Sequence, residues 1–399
     1  MFEYLSYILL LVIIIILVIF GYFKAKYGFW IIQPVFHVYD ISYMLFPPGI
    51  IEQSLPKRNK YTNFKNIKTI VYKELTDFDK SRFVNFISYH YLQNKDNHFN
   101  PKNNNIIPYF NGHNDFSFFS FYRENEILLD LKKGTMIDDS RIIGVMTSRP
   151  IHIFINKGEK DSKFYAYYVD YLCVDKQLRK KGIAPQIIQT HHYNQRHINK
   201  NISVSLFKRE DELTGIVPLC VYSTYGFSVN KWCKPNELHS IYKFIEINEQ
   251  NFHFLYDFMK NTQNKFEIII NTEVSNIIEL IKTKNIFIFV LLEEDTIISA
   301  YFYRKSCVYI EKNMEVLSCF SSINNTEDAI FIQGFKISFW KIAEKNYFGF
   351  AAIENISHNQ IIIDNIVLKT KPLIISPTAY FFYNFAYPTF DHKKVFILT

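Results

Sequence analysis

A strand-like segment, Tyr171-Leu172-Cys173-Val174, leads within a few residues into Arg179-Lys180-Lys181-Gly182-Ile183-Ala184, and Pro185 follows. Three cations beside a glycine at the start of a helical stretch are suited to holding phosphates. The N–H groups of a helix's first turn have no partner inside the helix and point toward anions. Glycine leaves the backbone open to close approach. A solvated basic turn has the same composition, so the turn alone leaves both readings open. Other candidates carry less. Cys173 sits mid-strand in apolar company with no histidine placed to activate it, and reads as core. His191 and His192 lie on the helix after the turn. No carboxylate or cysteine stands at ligand spacing from them, so they indicate no metal site and are expected in solvent. The last residues, Val395-Phe396-Ile397-Leu398-Thr399, are apolar, which argues against a frayed terminus.

These groups need a scaffold. Residues 141–155 and 164–174 are rich in β-branched and aromatic residues and predict strands. The second runs straight into the basic turn and a helix over 185–197, giving a strand, turn and helix unit. Phe83, Phe86, Ile87 and Tyr91 recur at helical spacing over 77–91. Residues 36–66 read as irregular, and the Asn- and Pro-rich 93–108 as a surface loop. Beyond about residue 238 the order partly restarts: a helix over 251–260, strands over 286–292 and 297–304, a helix over 331–344, a strand over 347–353, then terminal strands. The repetition suggests a duplicated α/β unit.

The chain has 399 residues, 48% apolar and 18% aromatic, enough for a large core. A net charge of +7, spread along the chain, shows no stripe that would call for nucleic acid. The five cysteines are odd in number and have no CxxC spacing, so reduced thiols are expected. Residues 5–23 are uncharged and apolar. As a helix they would span roughly 28 Å, which predicts a single membrane-spanning anchor. Only Glu3 is charged before the run, and no small-residue cleavage site follows, which opposes a signal peptide. Lys24 and Lys26 follow it, so the rest of the chain is expected to face the cytosol.

Taken together, several motifs resemble one family, the protein N-myristoyltransferases. Arg179 to Ala184 fits the Arg/Gln-x-x-Gly-x-Ala pattern of acetyltransferase-like (GNAT) folds. Gly28-Phe29-Trp30-Ile31-Ile32-Gln33-Pro34-Val35 is similar to the segment that lies over bound acyl-CoA in that family. Tyr383-Asn384-Phe385, a nearby Pro388, Lys394-Val395 and the apolar terminus resemble its C-terminal strand. The motifs occur in matching order across residues 27–399. The resemblance implies an α/β fold of two fused GNAT-like halves, here behind the membrane helix: an anchor over 1–26, an acyl-CoA-binding half over 27–238 and a peptide-binding half over 239–399. It implies transfer of a long-chain acyl group from myristoyl-CoA, a co-substrate rather than a resident cofactor, to the amine of an N-terminal glycine, in a monomer. It also assigns roles. Gly28, Phe29, Trp30, Tyr171 to Val174 and Arg179 to Ala184 would hold the acyl-CoA. Backbone amides of Tyr171 and Leu172, on a bulged strand, would form the oxyanion hole. The free carboxylate of Thr399 would be the base.

Three departures bear on acceptor recognition. The family's acidic cluster is reduced in Gln93-Asn94-Lys95-Asp96, Lys208 falls where the family borders the glycine amine, and Asp170 replaces an Asn. They keep two alternatives open: a catalytically silent membrane protein that retains the fold for acyl-lipid or partner binding, and an acyltransferase acting on another amine.

Overall fold

The computed structural model describes residues 2–26, 28–92, 97–130, 135–156, 162–210, 215–310 and 314–399. The elements that build the site, in chain order, are helix α1 (Phe2–Lys26), helix α2 (Asp77–His90), strands β1 (Phe118–Asp130), β2 (Thr135–Ile155) and β3 (Ser162–Val174), helix α3 (Ile183–Ile198) and strands β4 (Val204–Glu210), β5 (Cys220–Ser228) and β6 (Ile268–Asn271). Strands β7 (Thr296–Ile310) and β8 (Met314–Asn324), helix α4 (Asp328–Asn346) and strands β9 (Phe350–Glu354), β10 (Ile374–Tyr383) and β11 (Val395–Leu398) complete them. The helix expected over 77–91 starts where its sequence signals a start: Thr76 accepts from the Asp79 N–H, with Asp77 and Asp79 in the first turn. The loop expected over 93–108 holds a short strand, Asn97–Phe99, and a helical turn, Asn103–Ile106. The strand pairs with Val308 to Ile310 at the end of β7, a long-range pairing that local composition does not signal.

Fifteen strands join one mixed sheet. It contains two parallel crossovers. Strand β3 passes through α3 to β4, in register from Ala166 opposite Val204 to Val169 opposite Phe207. Strand β8 passes through α4 to β9, from Val316 opposite Phe350 to Cys319 opposite Ile353. Parallel neighbours need such a connection, and a helix supplies it. The restart read beyond residue 238 is this second crossover. The halves share the sheet: β10 lies between β4 and β5, and β11 pairs with β6, which pairs with β2. The chain's last strand therefore sits two strands from β3's hairpin partner.

The N-terminal expectation is corrected. Residues Phe2–Lys26 do form one helix, and its described side chains are exposed. Among the described residues, however, no helix is long and apolar enough to cross a membrane. The architecture is a two-lobed α/β GNAT-like fold, with no spanning helix among the described residues. The anchor, membrane partnering, single-pass topology and cytosol-facing orientation fall with it.

Candidate active site

The hairpin of β2 and β3 changes register inside the first crossover. Thr147 faces Asp170 and Val145 faces Cys173, so Tyr171 and Leu172 together oppose Met146. This is a β-bulge, and Tyr171 takes a φ of +51°. A left-handed backbone at a tyrosine costs about 1–3 kcal/mol. Its ring is held edge-on by Phe83 of α2 at 5.8 Å and by Tyr91 at 5.8 Å, which offsets the strain. An extra residue in a bulge leaves the regular ladder and re-aims its backbone.

The bulge lines a cavity of about 480 Å³, within the range of small-ligand sites. Tyr171 and Leu172 meet Trp30 there, so three residues singled out in the sequence come together. Trp30 stacks on Phe207 of β4 at 5.8 Å, and Phe207 stacks on Phe381 of β10 at 5.3 Å. The wall opposite belongs to α3 and includes Ile188 and His192. That helix begins at Gly182, whose φ is +75°, and a Cβ placed there meets nothing within 4 Å. The turn is open on the side a ligand would approach. Lys180 and Lys181 are exposed, whereas Arg179 is partly committed, donating to the His90 carbonyl at 2.6 Å.

Other expected residues lie elsewhere. Phe29 does not line the cavity; it packs edge-on against Trp30 at 5.1 Å, next to Gly28. Cys173 and Val174 are buried below the bulge, Ile183 is buried, and Ala184 is half-buried in the first turn of α3. Burial pushes the Cys173 thiol up to about 12, which makes it inert as a nucleophile. Thr399 is 3% exposed at the end of β11, so the terminus is buried, but it is not on the cavity wall. Gln93, Asn94, Lys95 and Asp96 lie outside the described residues.

The expectation of solvent-exposed histidines is reversed. His191 is 1% exposed, with Nδ1 2.9 Å from the Ser120 hydroxyl and Nε2 2.8 Å from that of Ser148. Burial lowers it to about 4, and lowers His192 to about 3. The buried face of α3 is itself polar, with Gln189, Thr190 and Gln195 beside the histidines, and it bonds to Ser120 of β1 and Ser148 of β2. An apolar-stripe reading assigns such a face to solvent.

At the polar end two of the three departures, Lys208 and Asp170, have charge partners. Lys208 lies 3.0 Å from Glu354, a carboxylate that also takes bonds from Arg304 and Tyr222. Glu354 lies at the end of β9 and is 4% exposed. Burial would raise it, but Lys208 and Arg304 outweigh that and hold it near 2. Asp170 accepts from Nε of Arg149 at 2.8 Å. Glu354 was missed because 146 positions separate it from Lys208 and no local motif marks the pair.

Residues 57–220 match the family described as Myristoyl-CoA:protein N-myristoyltransferase, N-terminal domain. No curated protein sequence matches the chain. Among solved structures, Saccharomyces cerevisiae N-myristoyltransferase with bound myristoyl-CoA is similar, with a TM-score of 0.69, 12% identity, 91% of this chain and 94% of that chain covered. The yeast enzyme with bound myristoyl-CoA and inhibitors gives 0.69, 12%, 91% and 91%. At that identity the likeness is one of fold.

Proposed function

Because this chain has the N-myristoyltransferase fold and matches that family's N-terminal domain over residues 57–220, we propose that it is an acyl-CoA-dependent N-acyltransferase that moves a long-chain acyl group, myristoyl in the first instance, to the amine of an N-terminal glycine. The observation that carries the reading is the Tyr171–Leu172 bulge on the wall of a cavity whose other wall is the helix that begins at Gly182.

The parts have distinct tasks. The start of α3, with Lys180 and Lys181, takes the phosphates of coenzyme A. The cavity takes the acyl chain between Trp30 and Ile188. Amides of the bulge donate to the thioester oxygen as it gains charge. Backbone donors serve this well because they are fixed before the reaction and need not reorganise. Attack is direct, since Cys173 is buried and inert and, among the described residues, no cysteine lines the cavity.

The test is mass spectrometry of glycine-starting peptides incubated with the full chain and myristoyl-CoA. A tetradecanoyl mass on the α-amine is expected. Acylation of internal lysines alone would reassign the acceptor. Absence of both acylation and acyl-CoA binding would remove the reading.

A further inference from the structure

The acyl-transfer reading requires a group that receives the acceptor amine. A free α-amine has a pKa near 8 and arrives mostly as an ammonium ion. The resemblance gives the task to Thr399, yet Thr399 is absent from the cavity wall. Two carboxylates are on it, Asp170 and Glu210, and they differ. Glu210 is half-exposed, with Lys208 3.7 Å away. Asp170 immediately precedes the bulge, so its backbone is one residue, about 3.8 Å between Cα atoms, from Tyr171. Its Oδ2 is held by the Nε of Arg149, a residue 2% exposed on β2. Among the described residues no hydrogen bond ends on Asp170 Oδ1, and the side chain is partly open to the cavity.

Neighbouring groups are spent. Glu354 is saturated by Lys208, Arg304 and Tyr222. His191 has a serine hydroxyl on each nitrogen. His192 packs against Tyr383 and is held to about 3, a poor proton acceptor.

Resting on the acyl-transfer reading, we propose that Asp170 is the carboxylate that binds the acceptor's ammonium and takes its proton as the amine attacks, with Arg149 as the positioning residue. Asp170 accepts one proton from the ammonium. The freed lone pair forms the C–N bond to the thioester carbonyl carbon. The C–S bond then breaks, and its electron pair leaves on sulfur as the coenzyme A thiolate. That thiolate takes a second proton from the nitrogen, which leaves an amide and a thiol, and the proton on Asp170 passes to solvent. Burial supports the role: it raises the Asp170 carboxyl above its ordinary value against the pull of Arg149 and Arg304, making it a stronger base than an exposed aspartate.

The experiment has a binding arm and a rate arm, both on the full chain. In the first, the protein is saturated with a non-reactive thioether analogue of myristoyl-CoA. Affinities are then measured for a glycine-starting peptide and its N-acetylated form. The wild type is expected to prefer the free amine at least tenfold. Asp170→Asn should lose that preference while still binding the analogue, and Asp170→Glu should restore part of it. In single turnover with myristoyl-CoA, Asp170→Asn should be slower by about 10²-fold or more. Equal affinity of the wild type for both peptides would overturn the proposal, even if Asp170→Asn fails to fold. So would a folded Asp170→Asn that acylates at the wild-type rate. A wild type that prefers the free amine, with that preference lost in Asp170→Asn, but transfers no acyl group would keep Asp170 as the ammonium site and remove the transfer reading instead.

Discussion

The two crossovers of this sheet have the same topology and opposite chemistry. In the first, β3 bulges at Tyr171 and Leu172, and α3 starts at a left-handed glycine among exposed lysines. In the second, α4 starts with Glu327 as its N-cap and Asp328 in the first turn, carboxylates where the first has cations. Strand β8 also slips register against β7, leaving Phe320 as the extra residue, but Phe320 is buried in core. The interior beneath α4 is filled by Phe331, Phe335 and Phe339. A βαβ crossover is thus only a frame. Site chemistry comes from what stands at the bulge and at the helix start, and whether the space between them is left empty.

The largest stability effect is expected where the halves meet at Glu354. Glu354→Gln leaves Lys208 and Arg304 facing a neutral amide. Loss of one partner from a buried charged cluster costs about 3–5 kcal/mol, readable as a lower denaturation midpoint. A change under 1 kcal/mol would show that solvent already screens the cluster.

Acid should loosen the first crossover before the second. His191 and His192 are both on α3, whereas α4 has no histidine and the second crossover meets one, His358, which is held to about 4 and accepts from the Asn324 N–H at the end of β8. The folded values of His191 and His192, about 4 and about 3, lie below the ordinary 6.5. The unfolded chain therefore takes up protons first as pH falls. Each histidine's contribution is intact above pH 6.5 and declines by about 1.4 kcal/mol per pH unit below it, down to its folded value. Hydrogen exchange by mass spectrometry from pH 7 to 5, corrected for intrinsic rates, should show α3 losing protection ahead of α4. Parallel loss in both would contradict the assignment. Glu354, held near 2, adds its own loss only below about 4.5.

Gly334 gives a smaller and purely structural effect. A Cβ there would collide with the Tyr301 hydroxyl, which donates to the Phe331 carbonyl. Gly334→Ala should cost about 1–3 kcal/mol by overpacking and leave acyl-CoA affinity unchanged.

The same contrast explains what was legible in the sequence. The basic turn and the helix after it are local signals, written in consecutive residues, and they could be read. So could α2, through the spacing of Phe83, Phe86 and Ile87. The bulge could not, because the positive φ of Tyr171 is maintained by Phe83 and Tyr91 from another element. Burial of His191 was misread because its partners, Ser120 and Ser148, are on other strands. The apolar N-terminal run showed a helix correctly, but among the described residues that helix does not qualify as a membrane span. Lys208 and Asp170 stood out as oddities, and only the fold supplies Glu354 and Arg149 to balance them.

The most direct test of the central claim is myristoyl-CoA binding to the full chain by calorimetry, comparing wild type, Gly182→Val and Gly334→Ala. The space around Gly182 is open, so valine should be tolerated at a backbone strain of about 1–2 kcal/mol. Its branched side chain would nevertheless stand where the phosphates approach. The account predicts tight binding by wild type and Gly334→Ala, and an affinity at least tenfold weaker for Gly182→Val. Undiminished affinity in a folded Gly182→Val protein would contradict it.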